Sequence, residues 1–251
     1  MKSRIFILAA LGTVLSSFAY LLNNLPTEQS VLFSGSGNCS LCHSGEEGVL
    51  INAAGRDVSP EYHWQSSMMA NAAKDPYWQA KVSAEVEENP HLREVIEDKC
   101  ATCHAPMGRT EAIYGGQAYY SMSEVKQDAL SLDGVSCTVC HQIDPGNLDS
   151  GEGFSGNYLI KDDKQIYGPY ENPFTVSMVN RTGFTPVHGT HIESPELCAT
   201  CHTLFTPTLD NSGNIVGEIA EQTPYLEWAN SDFPAEDIQC QTCHQPEIDD
   251  P

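Results

Sequence analysis

The chain has 251 residues, with 34 acidic against 12 basic side chains and a formal net charge of −22. A field of that sign repels phosphate backbones and anionic lipid surfaces, which excludes nucleic acid as a partner and favours a basic face on a docking protein. Its 10 cysteines call for a disulfide framework, paired metal sites or covalent attachment of a cofactor.

Lys2 and Arg4 precede an apolar run from Ile5 to Ala10 that continues through Leu11, Val14 and Leu15, and Ser17-Phe-Ala19 offers small residues at a signal-peptidase site. Residues 1–19 are read as a signal peptide that exports the chain to the periplasm or beyond; the alternative is an uncleaved membrane anchor reaching about Leu22. Residues 20–38 form a polar linker, and 39–251 a single domain.

That domain opens on Cys39-Ser-Leu-Cys42-His43. Three N-cap and proline pairs follow, Ser59-Pro60, Asp75-Pro76 and Asn89-Pro90, predicting helices over about 60–73, 76–88 and 90–99. The last delivers the chain into Cys100-Ala-Thr-Cys103-His104. One helix is predicted from Ser123 to Leu132, then Cys137-Thr-Val-Cys140-His141. From Gly146 to Gly189 the density of Gly, Pro, Asn and Asp reads as loop with short strands, a wrap and not a core. Cys198-Ala-Thr-Cys201-His202 follows. A β-hairpin is predicted from Leu204–Leu209 and Asn214–Ile219 around Asp210-Asn-Ser-Gly213, and Cys240-Gln-Thr-Cys243-His244 closes the series.

All ten cysteines fall in these five Cys-x-x-Cys-His copies. The thiol pair alone also suits a zinc ribbon or a redox dithiol. The histidine decides: with 9 His in 251 residues, five in five at one position is on the order of one in ten million by composition. Two thiols at this spacing add across the vinyl groups of one haem, and the next imidazole reaches its iron. The expectation is five haem c groups, held by thioethers at Cys39, Cys42, Cys100, Cys103, Cys137, Cys140, Cys198, Cys201, Cys240 and Cys243. His43, His104, His141, His202 and His244 are their proximal ligands. Export fits, because such attachment occurs outside the cytoplasmic membrane. The expected fold class is mainly α with extensive irregular loops: a haem-cored array of short helices with a minor β-hairpin, in which Trp64, Met68, Tyr77, Trp78, Val82, Val86, Leu92 and Ile96 pack on haem faces. Motif starts at 39, 100, 137, 198 and 240 leave two equal gaps, which admit duplication of a two-motif unit.

Four histidines, His63, His91, His188 and His191, remain for the distal side of five irons. One iron therefore takes methionine, stays open, or draws a ligand from another chain.

The stretch Trp64-Gln-Ser-Ser67-Met-Met-Ala70-Asn-Ala72, Asp75-Pro76, Cys100-Ala-Thr-Cys-His-Ala-Pro-Met107, Gly134-Val-Ser-Cys137 and the approach from His188 to Cys198 resemble the multihaem c-type cytochromes related to the tetrahaem acceptor of hydroxylamine oxidoreductase. The resemblance covers about 39–246. It implies a distal histidine where this chain has Met69, so Met69 is either a sulfur ligand or a filler on a haem face. It also implies His188 as a distal ligand, with His191 as runner-up or the ligand of a neighbouring iron.

The leading functional expectation is an extracytoplasmic electron carrier passing electrons between redox partners. One alternative is an oxidoreductase acting on a small nitrogen or sulfur compound at an open haem. Another is a subunit of a larger respiratory complex or cytochrome polymer, contacting its neighbour through the C-terminal haem.

Overall fold

The computed structural model describes residues 25–45, 49–210, 212 and 214–245. The proposed signal peptide or anchor lies outside them; among the described residues no helix is long and apolar enough to cross a membrane. The fold is helical with two small sheets and long loops.

Helix α1, Gly37–His43, carries the first motif. Helices α2 (Pro60–Gln65) and α3 (Pro76–Glu88) begin as predicted: Ser59 and Asp75 accept from the backbone N–H groups of Tyr62 and Tyr77, with proline at the first helical position. Helix α2 stops eight residues short of expectation. The Asn71 side chain donates to the carbonyls of Gln65 and Ser67, and the Ser67 hydroxyl accepts from Ala70 N–H, so side chains replace the helical ladder. The third start also differs. Asn89 donates to Glu85 O and so finishes α3, and Pro90–Leu92 makes only a 3₁₀ turn before α4, Arg93–His104.

Helix α5 spans Pro106–Tyr114. The single helix expected near 123–132 is two, α6 (Met122–Val125) and α7 (Ala129–Leu132), because Asp128 caps the second by accepting from Leu130 and Ser131. Helix α8, Cys137–Cys140, carries the third motif. Strands β1 (Gln165–Gly168) and β2 (Thr185–His188) pair in parallel, and the crossover contains α9, Thr175–Thr182, a helix absent from the sequence reading. Helix α10, Pro195–His202, precedes the antiparallel hairpin of β3 (Leu204–Leu209) and β4 (Ile215–Gln222). Its turn is organised by Asp210 Oδ1, which accepts from Ser212 and Asn214 N–H. Helices α11 (Pro224–Ala229) and α12 (Cys240–His244) complete the chain.

Three small apolar clusters hold these pieces. Trp78, Val82 and Val86, one turn apart on α3, pack with Ala101, Ala105, Tyr120, Met122 and Val125. Leu32 and Phe33 insert beside Met107, Leu130 and Val139; full burial of a side chain such as Phe33 contributes about 2–3 kcal/mol. Ile143, Leu148, Tyr158 and Leu197 form the third cluster. Leu148 and Tyr158 belong to the stretch read as a mere wrap, and their burial corrects that reading. Met68 and Tyr77, expected on haem faces, are 70% and 80% exposed, so the protein's own side chains leave both uncovered.

Candidate functional site

Each Cys-x-x-Cys-His copy lies on a helical turn: α1, the end of α4, α8 with its cap His141, the end of α10, and α12. Helical geometry sets the first cysteine, the second three residues on and the histidine four on along one face. In three copies the other face is the buried one. Ala101 and Thr102, Thr138 and Val139, and Ala199 and Thr200 are each at most 4% exposed, while their flanking cysteines are all half-exposed. Free cysteine is ordinarily among the most buried side chains. Here the protein buries the spacer fully and sets both thiols and the imidazole on the opposite face, where the cysteines are only partly covered.

The copies meet through those faces. Cys39 lies near Cys137, Cys103 near Cys201, and Cys198 near Cys240. Cys140 also lies in the electrostatic range of Cys201 and Cys198. Burial pushes the thiols of Cys140 and Cys198 up to about 12, and both stay protonated at neutral pH. His43 with His141, His104 with His202, and His202 with His244 are close enough for one imidazolium to disfavour the other.

A buried carboxylate ties the first and third copies. Asp133 Oδ2 accepts from Ser36 N–H at 2.9 Å and from the Ser136 hydroxyl at 2.7 Å, and Oδ1 accepts from the Ser36 hydroxyl at 2.8 Å. Ser36 and Ser136 are the N-caps of α1 and α8, so one side chain pins the starts of both helices. Burial raises the Asp133 pKa despite these donors.

The histidines differ in which nitrogen is engaged. His141 Nδ1 lies 2.6 Å from Tyr167 O; a carbonyl only accepts, so Nδ1 carries the proton and Nε2 keeps a free lone pair. His104 Nδ1 faces Ala72 O at 3.4 Å in the same sense, and the Trp78 ring stacks on it at 4.6 Å and 8°. Burial lowers the pKa of His104, His141 and His202, keeping each imidazole neutral and able to donate a lone pair. His191 is reversed: its Nε2 lies 3.0 Å from Ile143 O and therefore carries the proton, and its ring meets Tyr167 edge-on at 4.6 Å.

Of the distal candidates, His63, His91 and His188 are exposed. His63 sits on α2, which packs beside α1, and His91 on the 3₁₀ turn leading into α4. His188 ends β2, Gly189 is extended, and His191 starts within a new 3₁₀ turn, so the two do not share a helical face. Met69 is half-buried, and its carbonyl accepts from Val135 N–H at 2.9 Å, which places it at the approach to the third copy. Trp64 Nε1–H donates to Val135 O at 2.8 Å nearby.

Comparison with protein-family models, with curated proteins and with solved structures finds no match for this chain. The site's own chemistry carries the argument. Among the described residues, no three His, Cys, Asp or Glu side chains converge as a metal-ion cage. A structural zinc site needs four such ligands, whereas a haem iron takes at most two from protein and its macrocycle takes two thiols. The cysteines and neutral imidazoles fit the second requirement. Sequence reasoning missed Tyr167, the Ala72 carbonyl, Trp78 as a ring partner and Asp133; only the proximity of Asp133 to its motif hinted at a cap.

Proposed function

We propose that this chain is an extracytoplasmic electron-transfer protein carrying five covalently bound c-type haems. One observation carries the reading: in five Cys-x-x-Cys-His turns both thiols and the imidazole share one helical face, in the second, third and fourth copies the opposite face is the buried one, and the copies lie against one another. When bound, haem supplies one-electron chemistry at iron. The chain's own residues do the rest. The ten cysteines fix position through thioethers, and His43, His104, His141, His202 and His244 offer the proximal nitrogen. Tyr167 O and Ala72 O orient His141 and His104 and raise their basicity, as carbonyl partners do for ligating imidazoles. His63, His91, His188, His191 and Met69 are the distal candidates. Groups held at motifs that lie against one another would sit close enough for electrons to tunnel between them without a mobile carrier.

The net charge of −22 supports a redox partner with a basic face. The resemblance to cytochromes related to the acceptor of hydroxylamine oxidoreductase supports the same class. Intact mass tests the proposal: the purified protein should exceed its polypeptide by five haem masses and keep its colour through acid-acetone extraction. Zinc and free thiols in place of that mass would end it.

A further inference from the structure

We infer that the fifth motif joins the array through the fourth alone, as a side branch, making the turn Cys198–His202 a three-way junction. The inference rests on the haem reading above for its electrical meaning, and on packing for its geometry. Helix α12 buries none of its residues. Its seat is Gln241, whose Nε2 donates to Ile192 O at 3.1 Å and to Ser194 O at 3.0 Å. Ser194 is the N-cap of α10.

The preceding α11 lands at the same place. Tyr225 donates to Glu196 Oε1 at 3.0 Å, in the first turn of α10, and its ring meets Phe154 at 5.6 Å. Trp228 Nε1–H closes the segment on itself by donating to Ile238 O at 2.7 Å. Among the described residues, the side-chain hydrogen bonds and ring contacts tying 224–245 to the rest of the chain run to Phe154, Ile192, Ser194 and Glu196. None of these lies in the first, second or third motif.

Helix α10 therefore divides its two thiols. Cys198, in the middle of the helix, lies toward Cys240, while Cys201, one turn on, packs with Cys140 against the third apolar cluster, and Gly156, whose N–H donates to Thr200 O at 2.7 Å, sits against Thr102 of the second motif. Among the described residues, the first motif is tied to the third by Asp133 and Thr138, which hold Ser36 and Ser34, and it reaches this junction by way of the third. The wiring is a path from first to third to fourth, which there divides toward the second and toward the fifth. The fifth group is a terminus, exposed at Cys243 and His244.

The test removes the terminus. A triple variant, Cys240→Ala with Cys243→Ala and His244→Ala, should retain four haems by intact mass and an unchanged far-ultraviolet circular dichroism spectrum. In a potentiometric titration the largest shift among the remaining four should fall on the haem of the fourth motif, identified by its displacement in His202→Met. Fewer than four haems, or a largest shift on the first, second or third motif, would overturn the branch. Gln241→Ala is the gentler second variant: five haems retained, with the potentials of only the fourth and fifth motifs moved. If the wild-type mass shows no haem at all, the proposed function fails separately. The docking is then read from mild oxidation of the unloaded chain, where a Cys198–Cys240 disulfide is expected and its absence would overturn the seat.

Discussion

Asp133→Ala removes a carboxylate that ties the start of α1 to the start of α8. Asp133 is 2% exposed and Ser36 is 1% exposed, so the Ser36 N–H has no water to turn to. An orphaned buried donor costs about 1–3 kcal/mol, and each hydrogen bond to a charged group contributes about 1.5–3 kcal/mol. The two serine hydroxyls can rotate toward other acceptors, and relief of the buried charge offsets part of the loss. The expected net destabilisation is about 3 kcal/mol, read from chemical denaturation followed by circular dichroism. The pH dependence has a definite sign. Burial holds the folded-state pKa of Asp133 above its unfolded value, so its contribution is full below the ordinary carboxylate range and is lost as pH rises through the folded pKa. The gap between wild type and variant should therefore narrow from acid toward neutral pH. A change below about 0.5 kcal/mol, the scale of an ordinary surface substitution, or a gap that widens with rising pH, would refute the reasoning.

Gly134→Ala should cost more than 2 kcal/mol, about the scale of backbone strain plus a steric clash. Gly134 has φ +69°, and a Cβ there would stand 2.4 Å from Met69 O; a melting curve within a degree of wild type would contradict it. Ala199→Leu overpacks a fully buried position and should cost about 2 kcal/mol by the same denaturation assay. His188→Ala should create one high-spin centre by electron paramagnetic resonance. His191→Ala, whose Nε2 is already committed to Ile143 O, should leave the spin count unchanged and cost about 1 kcal/mol; a new high-spin signal in that variant would return His191 to the ligands. Met69→His should lower one midpoint potential by roughly 100 mV if the thioether ligates, since axial identity is a main lever on haem potential. An unaltered titration would assign Met69 to packing.

What the sequence made legible, and what it hid, follows from the range of the interactions. Ser59-Pro60 and Asp75-Pro76 announce helix starts because a cap and its backbone donor lie two or three residues apart. Asn89-Pro90 has the same letters, yet Asn89 spends its amide on Glu85 O behind it, a choice that depends on where α3 ends. The break at Asp128 was equally local and was still obscured, since Ser123 to Leu132 carries helix-forming residues throughout. Helix α9 was hidden by its surroundings: Val176 and Val179 stand at helical spacing, but the run is only eight residues long, buries no residue and lies between Gly- and Pro-rich loops. The ten cysteines and the five histidines that follow them could be singled out from spacing alone. Their mutual contacts, and the carbonyls of Tyr167 and Ala72, are joined across 26 and 32 residues, and no local pattern encodes such a pair.

The segment before the first motif has few attachments of its own. Ser30, Val31 and Leu32 are held by the Glu111 carboxylate, 79 to 81 residues further on, and Ser34 and Ser36 by Thr138 and Asp133, about a hundred residues on. Closing loops of that length costs conformational entropy before any contact repays it, and contacts of high sequence separation form late in folding. Of the described residues, 25–44 are made first, yet their seat is complete only once Thr138 has followed them. The earliest part of the domain to be made is thus the last to be locked, and its thiols stay accessible for the whole of that interval.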